Sequence, residues 1–289
     1  MDIRLMQYYL AVVREGNISA AAEALHVSQP ALSRQMKDLE EELGVTLFQR
    51  GSRRITLTKE GMILRKRAEE MLRLMQLTEA ELTQARDTIT GEIHIGAGES
   101  QAFHFLSRAA GQLMREHPGV RVHVVSGDTA DLMDQLGNGL LDFALIFSEF
   151  DRSLYHSLVL PQEDRFGVLM RRDSELARKE VITMDDLIGK PLLISRAADG
   201  QLWNGDKTQD MNVVGTYNLI YNASLMVEDG LGYAVCFDKL INVTGNSDLC
   251  FRPLVPEFRV QGTLIWKRYQ VLSSAVRLFV EQMEAAAML

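Results

Sequence analysis

Hydrophobic residues in the first 60 positions recur with the spacing of three helices followed by two short strands. The second helix, from about Ser19 to Leu25, is rich in alanine, which allows another backbone to approach it closely. Residues 47–57 then predict a strand, a basic turn and a strand, so the pattern indicates a three-helix core with a wing. The apolar stripe of the first helix consists of Ile3, Met6, Tyr9, Leu10 and Val13. That of the third helix consists of Leu32, Met36, Leu39 and Leu43.

The polar face of the third predicted helix has the chemistry expected of a helix that enters a DNA groove. Ser28 is a favourable N-cap, and Pro30 lies in the first turn, where its missing N–H is harmless. An amphipathic helix with a solvated polar face is the alternative, but the preceding helix and the wing favour a helix-turn-helix. The residues predicted to contact DNA from this helix are Ser28, Gln29, Pro30, Ser33, Arg34 and Lys37. Those predicted to meet phosphates from the wing are Arg50, Arg53 and Arg54.

A long apolar stripe follows the wing. Thr58 is placed to cap a helix that continues to about Arg86, with no glycine after Gly61 and no proline. About 28 residues at 1.5 Å each give roughly 42 Å of helix, and a helix of this length needs a partner for its stripe. The partner is either the core of the same chain or the same helix of a second subunit, which we favour because a symmetric pair doubles the DNA readout. The heptad positions predicted to form this dimer contact are Leu64, Ala68, Met71, Met75 and Leu82.

After residue 91 the pattern changes to strands that alternate with helices. Asp87–Gly91 is predicted to end the long helix and to act as a hinge. The first set of elements is a strand at 93–97, a helix at 101–117 capped by Ser100, a strand at 120–125, a helix from Asp128-Thr129 to Leu136 and a strand at 143–147. The second set is strands at 165–170, 191–195, 211–216, 233–236 and 262–266, with helices at 184–188, 218–229 and 273–288. The βαβαβ order of the first set predicts a parallel sheet with right-handed crossovers.

Composition narrows the class of protein. The 289 residues suggest two domains and a connector, and 46 % hydrophobic with 24 % charged residues is typical of a soluble globular chain. No apolar run reaches the roughly 18 residues of a membrane span, and the N-terminus lacks the apolar core of a signal peptide. Cys236 and Cys250 show no Cys-x-x-Cys spacing, so we expect a reducing cytoplasmic setting and two unrelated buried thiols rather than a regulatory disulfide.

The net charge of −8 is unusual for a DNA-binding protein, but its distribution removes the conflict. Residues 1–90 contain 13 basic and 13 acidic residues, so the whole acidic excess lies after them. Residues 26–67 contain nine basic and five acidic residues. Because salt screens charges beyond about 10 Å, DNA phosphates respond to this local basic excess rather than to the net charge.

Residues 1 to about 66 resemble the winged helix-turn-helix of the LysR-type transcriptional regulators. The order and spacing of the matching segments are specific to that family. One departure is Asn17-Ile18, where the family more often has a small hydroxyl residue followed by an aromatic residue. The segments that carry the resemblance are Ala21–Leu25, Val27–Ser33, Leu39-Glu40, Leu43-Gly44, Leu47–Arg50 and Leu57–Gly61.

The resemblance extends more loosely over the rest of the chain and implies an α/β protein of three parts. These are a winged helix-turn-helix domain at 1–58, a linker helix and hinge at 59–90, and an effector-binding domain at 91–289 of the two-lobed periplasmic-binding-protein type. Lobe I is predicted at 92–161 plus 267–289, and lobe II at 162–266. Val227–Val235 matches the family's helix-to-strand glycine turn, but Phe237-Asp238 stands where the family usually has a proline.

Ligands of open α/β sheets bind beyond the carboxyl ends of the strands, where helix N-termini attract anions. The resemblance points to the same regions, around Ser100, Thr129 and Ser195. Helix capping alone would also account for Ser100 and Thr129, and core packing for Phe147. Arg196 and the helix ends favour a small carboxylate as effector, and no cofactor and no metal ion are predicted. The residues predicted to line the effector cleft are Ser100, Gln101, Thr129, Phe147, Ser148, Ser195, Arg196 and Trp203.

Other classes of protein fit this sequence less well. Gly96-Ala97-Gly98 lacks the third glycine of a dinucleotide site, the histidines have no metal-binding spacing and no nucleophile elbow occurs, so an enzyme is not expected. A solute-binding protein would need export, and a DNA-packaging protein would have no use for a two-lobed domain. The prediction is a cytoplasmic transcriptional regulator that does not bind membranes. Its expected partners are double-stranded DNA with interrupted inverted-repeat half-sites, a small-molecule effector, its own copies in a homodimer or a dimer-of-dimers tetramer, and RNA polymerase.

Overall fold

The computed structural model describes residues 2–50, 55–83, 89–196 and 211–287, and it separates the chain into two compact units, Met1–Thr83 and Gln84–Leu289. The first unit has the three helices, the two wing strands and the long helix predicted from the sequence. The wing turn at 51–54 and residues 84–88, which include the start of the predicted hinge Asp87–Gly91, lie outside the described residues. Thr90 and Gly91, which were also predicted to belong to the hinge, instead begin the first strand of the second unit. The elements are α1 (Ile3–Glu15), α2 (Ile18–Ala24), α3 (Gln29–Leu43), β1 (Phe48–Arg50), β2 (Ile55–Leu57) and α4 (Lys59–Thr83).

Polar caps set the helix boundaries of the first unit. The side chains of Asp2, Asn17 and Ser28 accept hydrogen bonds from backbone N–H groups in the first turns of α1, α2 and α3. Gly16 and Gly44 end α1 and α3 in the left-handed conformation. Asn17 therefore caps α2 at the position where this chain departs from the LysR pattern.

The core of the first unit joins α4 to the three-helix head. Leu64 and Ala68 of α4 are buried in this core, and Met71 packs against it. The prediction that Leu64 and Ala68 contact a second subunit is therefore wrong, because the head of the same chain buries this part of the stripe. Met75 is half-buried, and the side chain of Leu82 lies outside the described residues. The largest buried side chains of the head are Met6, Tyr9, Leu32, Met36, Leu39 and Leu47.

Two side chains tie the wing to the helices. The carboxylate of Glu40, late in α3, accepts hydrogen bonds from the backbone N–H groups of Leu47 at 2.7 Å and Phe48 at 3.1 Å. Thr58 Oγ1 accepts a hydrogen bond from the Gly61 N–H at 2.9 Å and so caps α4 as predicted. No signal in the sequence predicted the contact by which Glu40 fixes the start of the wing.

The second unit is a mixed sheet with helices on its faces. Its described strands follow the order β4-β3-β5-β12-β6-β10-β8-β9, while β11 pairs with β6 and β7. The order of β3, β4 and β5, which run parallel, confirms the predicted βαβαβ arrangement. The elements are β3 (Thr90–Ala97), α5 (Phe103–Glu116), β4 (Gly119–Ser126), α6 (Thr129–Gly137), β5 (Phe143–Ile146), β6 (Tyr155–Arg171), β7 (Ile182–Thr183), α7 (Met184–Leu187), β8 (Leu192–Ser195), β9 (Val213–Tyr217), α8 (Ile220–Glu228), β10 (Tyr233–Phe237), β11 (Leu249–Val255), β12 (Arg259–Lys267) and α9 (Ser274–Ala287).

Two long antiparallel strands, β6 and β12, connect the two lobes of this unit. Thr263–Ile265 of β12 pairs with β5 in lobe I, while the second half of β6 pairs with β10 and β11 in lobe II. The predicted lobe II (162–266) therefore includes the end of β12 that the structure pairs with lobe I. The main apolar cluster of lobe I lies between the sheet and α5 and α9, and a smaller cluster lies under α6.

Three features of the second unit differ from the sequence prediction. The helix expected from residue 101 begins at Phe103, and neither Ser100 nor another side chain caps it. In the preceding turn, the Gln101 N–H donates to Asp164 Oδ1 at 2.8 Å. Strand β6 begins at Tyr155 rather than near Arg165. Strands β7 and β11 were not predicted. Among the described residues, no helix has both the length and the apolar character needed to cross a membrane.

Candidate functional site

The first turns of α3 present a polar surface to solvent. Ser28, Gln29, Pro30 and Arg34 are exposed, and Ser33 is half-buried. The opposite face of the helix, at Leu32, Met36 and Leu39, is buried against α1 and α2. Lys37 is also exposed and forms an ion pair with Glu41 at 3.3 Å. The buried face therefore packs α3 against the rest of the head, while the polar residues of its first turns remain accessible, as in a helix that reads a DNA groove.

The structure describes the two strands of the wing that follows α3. Phe48 and Arg50 of β1 pair with Leu57 and Ile55 of β2 in antiparallel register. This pairing confirms the two predicted strands of the wing. The side chain of Arg50 and the whole of Arg53 and Arg54 lie outside the described residues, so their contact with phosphates stays a prediction.

A second candidate site is a cavity of about 80 Å³ between the two lobes of the second unit. Three predicted residues line it: Thr129 and Phe147 from lobe I, and Ser195 from lobe II. The lining residues that sequence reasoning missed include Glu99, Asp128, Phe166, Tyr217, Asn218 and Phe237. Glu99 and Asp128 directly precede the predicted residues Ser100 and Thr129. The expectation that ligands bind at strand ends and helix starts therefore identified the correct loops, but not every side chain of those loops that lines the cavity.

The other predicted cleft residues have different positions. Ser100 lines a more open adjoining pocket of about 230 Å³, and the side-chain amide of Gln101 donates to the Lys239 carbonyl oxygen at 3.0 Å. Ser148 is not among the residues that line the described cavity. Arg196 forms ion pairs with Asp128 at 2.5 Å and Asp131 at 3.5 Å. Trp203 lies outside the described residues.

Carboxylates of the chain itself occupy the helix starts around the cavity. Glu99 Oε2 accepts a hydrogen bond from the Ile220 N–H at the start of α8, at 2.6 Å. Asp128 accepts one from the Asp131 N–H at the start of α6, at 3.0 Å. Asp164 accepts one from the Gln101 N–H in the turn before α5. Burial raises the pKa of Asp164, although this hydrogen bond and a second one from the Ala102 backbone act to lower it. A carboxylate of the chain therefore already lies at each of these helix starts, which weakens the attraction for an external anion.

Aromatic rings form one wall of the cavity. The ring centroids of Phe147 and Phe237 are 5.2 Å apart, and those of Phe166 and Phe237 are 4.5 Å apart. The Tyr217 hydroxyl donates to the Val235 carbonyl oxygen at 2.6 Å, so its polar atom is engaged within the sheet. The cavity thus combines apolar ring faces with the carboxylate of Glu99 at its edge.

Neither cysteine has the environment of a reactive thiol. Burial raises the pKa of Cys236, which lines the cavity, to about 12, and burial also raises the pKa of Cys250. The two residues lie on β10 and β11, which pair with opposite edges of β6. Two strand spacings are about 9.5 Å, beyond the reach of a disulfide. The sequence expectation of two unrelated buried thiols agrees with this geometry.

Comparison with known families supports the interpretation of both sites. Residues 3–62 match the family described as bacterial regulatory helix-turn-helix protein, lysR family, and residues 86–287 match the LysR substrate binding domain. The chain belongs to the LysR family. The exposed turn of α3 lies within the first matched region and the inter-lobe cavity within the second.

Individual LysR-family relatives agree with this assignment. The hydrogen peroxide-inducible genes activator of Pectobacterium carotovorum subsp. carotovorum is 31 % identical over 194 residues, which are 67 % of this chain but 64 % of that relative's length. The HTH-type transcriptional regulator BsdA of Bacillus subtilis (strain 168) is 29 % identical over 76 % of this chain and 74 % of its own. These names describe regulators, in agreement with the prediction that this chain is not an enzyme.

The fold of this LysR-family chain also matches a solved structure over its whole length. CbnR, a LysR family transcriptional regulator, superposes with a TM-score of 0.77 and covers 99 % of both chains at 19 % identity. This similarity confirms the predicted α/β fold with its helix-turn-helix domain. A structure of CbnR has been solved with its target DNA.

Proposed function

We propose that this LysR-family protein is a sequence-specific DNA-binding transcriptional regulator whose activity depends on a small molecule bound between the two lobes. The observation that carries the proposal is the exposed, polar first part of α3 on a buried three-helix core. Gln29, Ser33 and Arg34 reach base edges or neighbouring phosphates, while Lys37 and the wing arginines fix the register on the backbone. The protein needs no cofactor for this activity, and its DNA target places it in the cytoplasm.

The proposal includes a homodimer, or a dimer of dimers, that reads two half-sites of an interrupted inverted repeat. Met62, Ile63 and Leu74 on α4 expose more than half of their side-chain surface. Apolar side chains in such a position support pairing with a second copy. This replaces the earlier assignment of Leu64 and Ala68 to the dimer contact. Contact with RNA polymerase at the promoter completes the proposed set of partners.

Genomic binding tests this function. The full-length protein is mixed with sheared genomic DNA of its own organism, and the bound fragments are sequenced and footprinted. The proposal predicts discrete sites with two protected half-sites related by a dyad. Protection spread evenly over all fragments would contradict sequence-specific regulation.

The charges around the cavity favour a neutral or amine-bearing effector over the carboxylate expected from the sequence. That expectation rested on Arg196 and the helix starts, but Arg196 is paired with two carboxylates and the helix starts hold Asp128 and Glu99. A carboxylate ligand would meet Glu99 as a like charge, which costs affinity. A cation would gain from Glu99 and from the faces of Phe147 and Phe237. The effector alters regulation only if it binds two arrangements of the protein with different affinity.

Matched pairs of ligands test the charge of the effector. We expect small amines such as benzylamine and butylamine to raise the unfolding temperature of the full chain, because only the native cavity binds them. Benzoate and butyrate, with the same carbon skeletons, should have no comparable effect. The amine response should fall in Glu99→Gln, which keeps an acceptor for the Ile220 N–H but removes the charge. A larger shift with the carboxylates would show that the charge assignment is wrong.

Sensing of hydrogen peroxide, the response in the name of one relative, is not supported by the cysteines of this chain. A thiolate is the form that reacts with peroxide, and the raised pKa values of Cys236 and Cys250 keep both protonated. We therefore expect micromolar hydrogen peroxide to leave both the DNA affinity and the number of free thiols unchanged. Counting free thiols in denaturant before and after treatment checks this. Loss of either thiol together with altered DNA binding would contradict it.

A further inference from the structure

Two histidines and a glutamate from neighbouring strands meet on one face of lobe I. His94 of β3 lies opposite His123 of β4 in parallel register, and Glu92 precedes His94 by two residues, so all three side chains share a face of the sheet. Their potential ligand atoms all lie within 4.8 Å of one another. Sequence spacing did not predict this cluster, because 28 positions separate the histidines along the chain and only the strand register brings them together.

The ring nitrogens of the cluster converge on the glutamate. His94 Nε2 lies 3.9 Å from one carboxylate oxygen of Glu92, and His123 Nε2 lies 3.8 Å from the other. The two imidazole rings are stacked with centroids 4.7 Å apart. Two Nε2 atoms and a carboxylate around one point are the donors of a three-ligand site that leaves further positions open. His123 and Glu92 are about half exposed, so small side-chain rotations can close the remaining gaps to ligand distance.

A buried carboxylate behind the cluster favours metal binding by His94. Asp142 is 2 % exposed, accepts a hydrogen bond from the His94 backbone N–H at 2.7 Å, and has an oxygen 3.7 Å from His94 Nδ1. His94 Nδ1 is buried and has no hydrogen-bond partner among the described residues. An acidic acceptor on the Nδ1 side favours the tautomer that has its proton on that nitrogen, and this tautomer leaves the lone pair of Nε2 free for a metal ion. Asp142 thus occupies the supporting position that metal-binding histidines require.

We propose that Glu92, His94 and His123 bind one divalent transition-metal ion, with Zn²⁺ as the representative ion. Two nitrogen donors and one oxygen donor suit Zn²⁺, Ni²⁺ or Cu²⁺ rather than Mg²⁺ or Ca²⁺, which prefer oxygen. The site is separate from the inter-lobe cavity, because four residue steps of extended chain, about 13 Å, lead from His94 to Gly98 at the cavity wall. The proposal therefore stands independently of the proposed regulatory function.

Calorimetric titration of the tag-free, metal-stripped full chain with Zn²⁺ tests the site. We expect one equivalent to bind, with affinity at least about tenfold weaker in His123→Ala and in Glu92→Gln. His104→Ala, which removes an exposed histidine from α5 of the same unit, is the matched control and should bind as the parent does. Titration with Co²⁺ provides a spectrum that reports nitrogen ligation, and circular dichroism verifies that each variant is folded.

Three results would overturn the proposal. They are absence of binding to the folded parent, equal binding by the parent and both ligand variants, and loss of binding in the His104 control. A cluster that only takes up protons would show a pH-dependent stability sensitive to His123→Ala but no Zn²⁺ binding, and this result would also contradict the metal site. Asp142→Asn should weaken Zn²⁺ binding while leaving the three ligands in place. An Asp142 that only stabilises the fold would leave Zn²⁺ binding by the folded variant unchanged.

Discussion

Replacing Arg34 with alanine is expected to weaken binding to a specific DNA site by about 5- to 150-fold, the equivalent of 1–3 kcal/mol for one base contact. Arg34 lies on the exposed face of α3, one turn after the helix start, while Leu32 on the opposite face is buried. Removing its side chain should therefore leave the head folded and remove one interaction with the groove. The preference for one base pair in each half-site should relax at the same time.

Fluorescence anisotropy with a selected site and with unrelated DNA, over a range of salt concentrations, measures this effect. Arg178→Ala removes the same charge from an exposed turn in the second unit and serves as the control. A phosphate contact behaves differently, since Arg53→Ala should weaken all sequences alike and reduce the salt slope by about one. If Arg34→Ala and Arg178→Ala bind equally well, or if Arg34→Ala weakens all DNA uniformly, the base-reading role is refuted.

Replacing Gly61 with alanine is expected to destabilise the first unit by about 1–3 kcal/mol or more. A Cβ atom at this position would lie 2.3 Å from the Leu47 carbonyl oxygen, a backbone atom that cannot rotate away. The same carbonyl accepts the Thr58 N–H at 3.0 Å, and the Gly61 carbonyl accepts the Tyr9 hydroxyl at 2.6 Å. The substitution therefore separates α4 from the wing and from α1 together.

Urea unfolding followed by circular dichroism measures this loss, and the affinity for DNA should decrease with it. Gly137→Ala, at the end of α6, is the matched control because its added Cβ meets nothing within 4 Å. That variant should be as stable as the parent or slightly more stable, since alanine favours helix. A Gly61→Ala protein as stable as Gly137→Ala would mean that the close approach of α4 to the wing is not required.

Local signals in the sequence predicted the first unit closely. Ser28, Pro30 and Gly44 mark the ends of α3, and the 3.6-residue period of its apolar face needs no tertiary information. The same period could not decide which surface buries the stripe of α4. Leu64 and Ala68 match a heptad seam equally well whether they face a second subunit or the head of their own chain, and the structure places them in the head.

In the second unit, pairing between distant segments determines features that the local sequence does not predict. The polar residues Gln162, Glu163 and Asp164 resemble a loop, yet they lie in β6 because this strand crosses between the lobes and pairs with β12 on one edge. Contacts between segments that are distant along the chain could not be predicted from the sequence either. The bond from Ile220 to Glu99 and the pairing of Arg196 with Asp128 join the lobes across the cavity, and they are the basis for proposing a neutral or amine-bearing effector in place of the expected carboxylate.

Selection of bound duplexes from a random DNA pool, carried out in parallel with the full-length parent and with Arg34→Ala, tests the central claim most directly. The account predicts that the parent enriches two half-sites in inverted orientation and that the variant loses information at the same position in each half. An unchanged motif in the variant, or no enriched motif with the parent, would contradict the claim that the exposed end of α3 reads the bases.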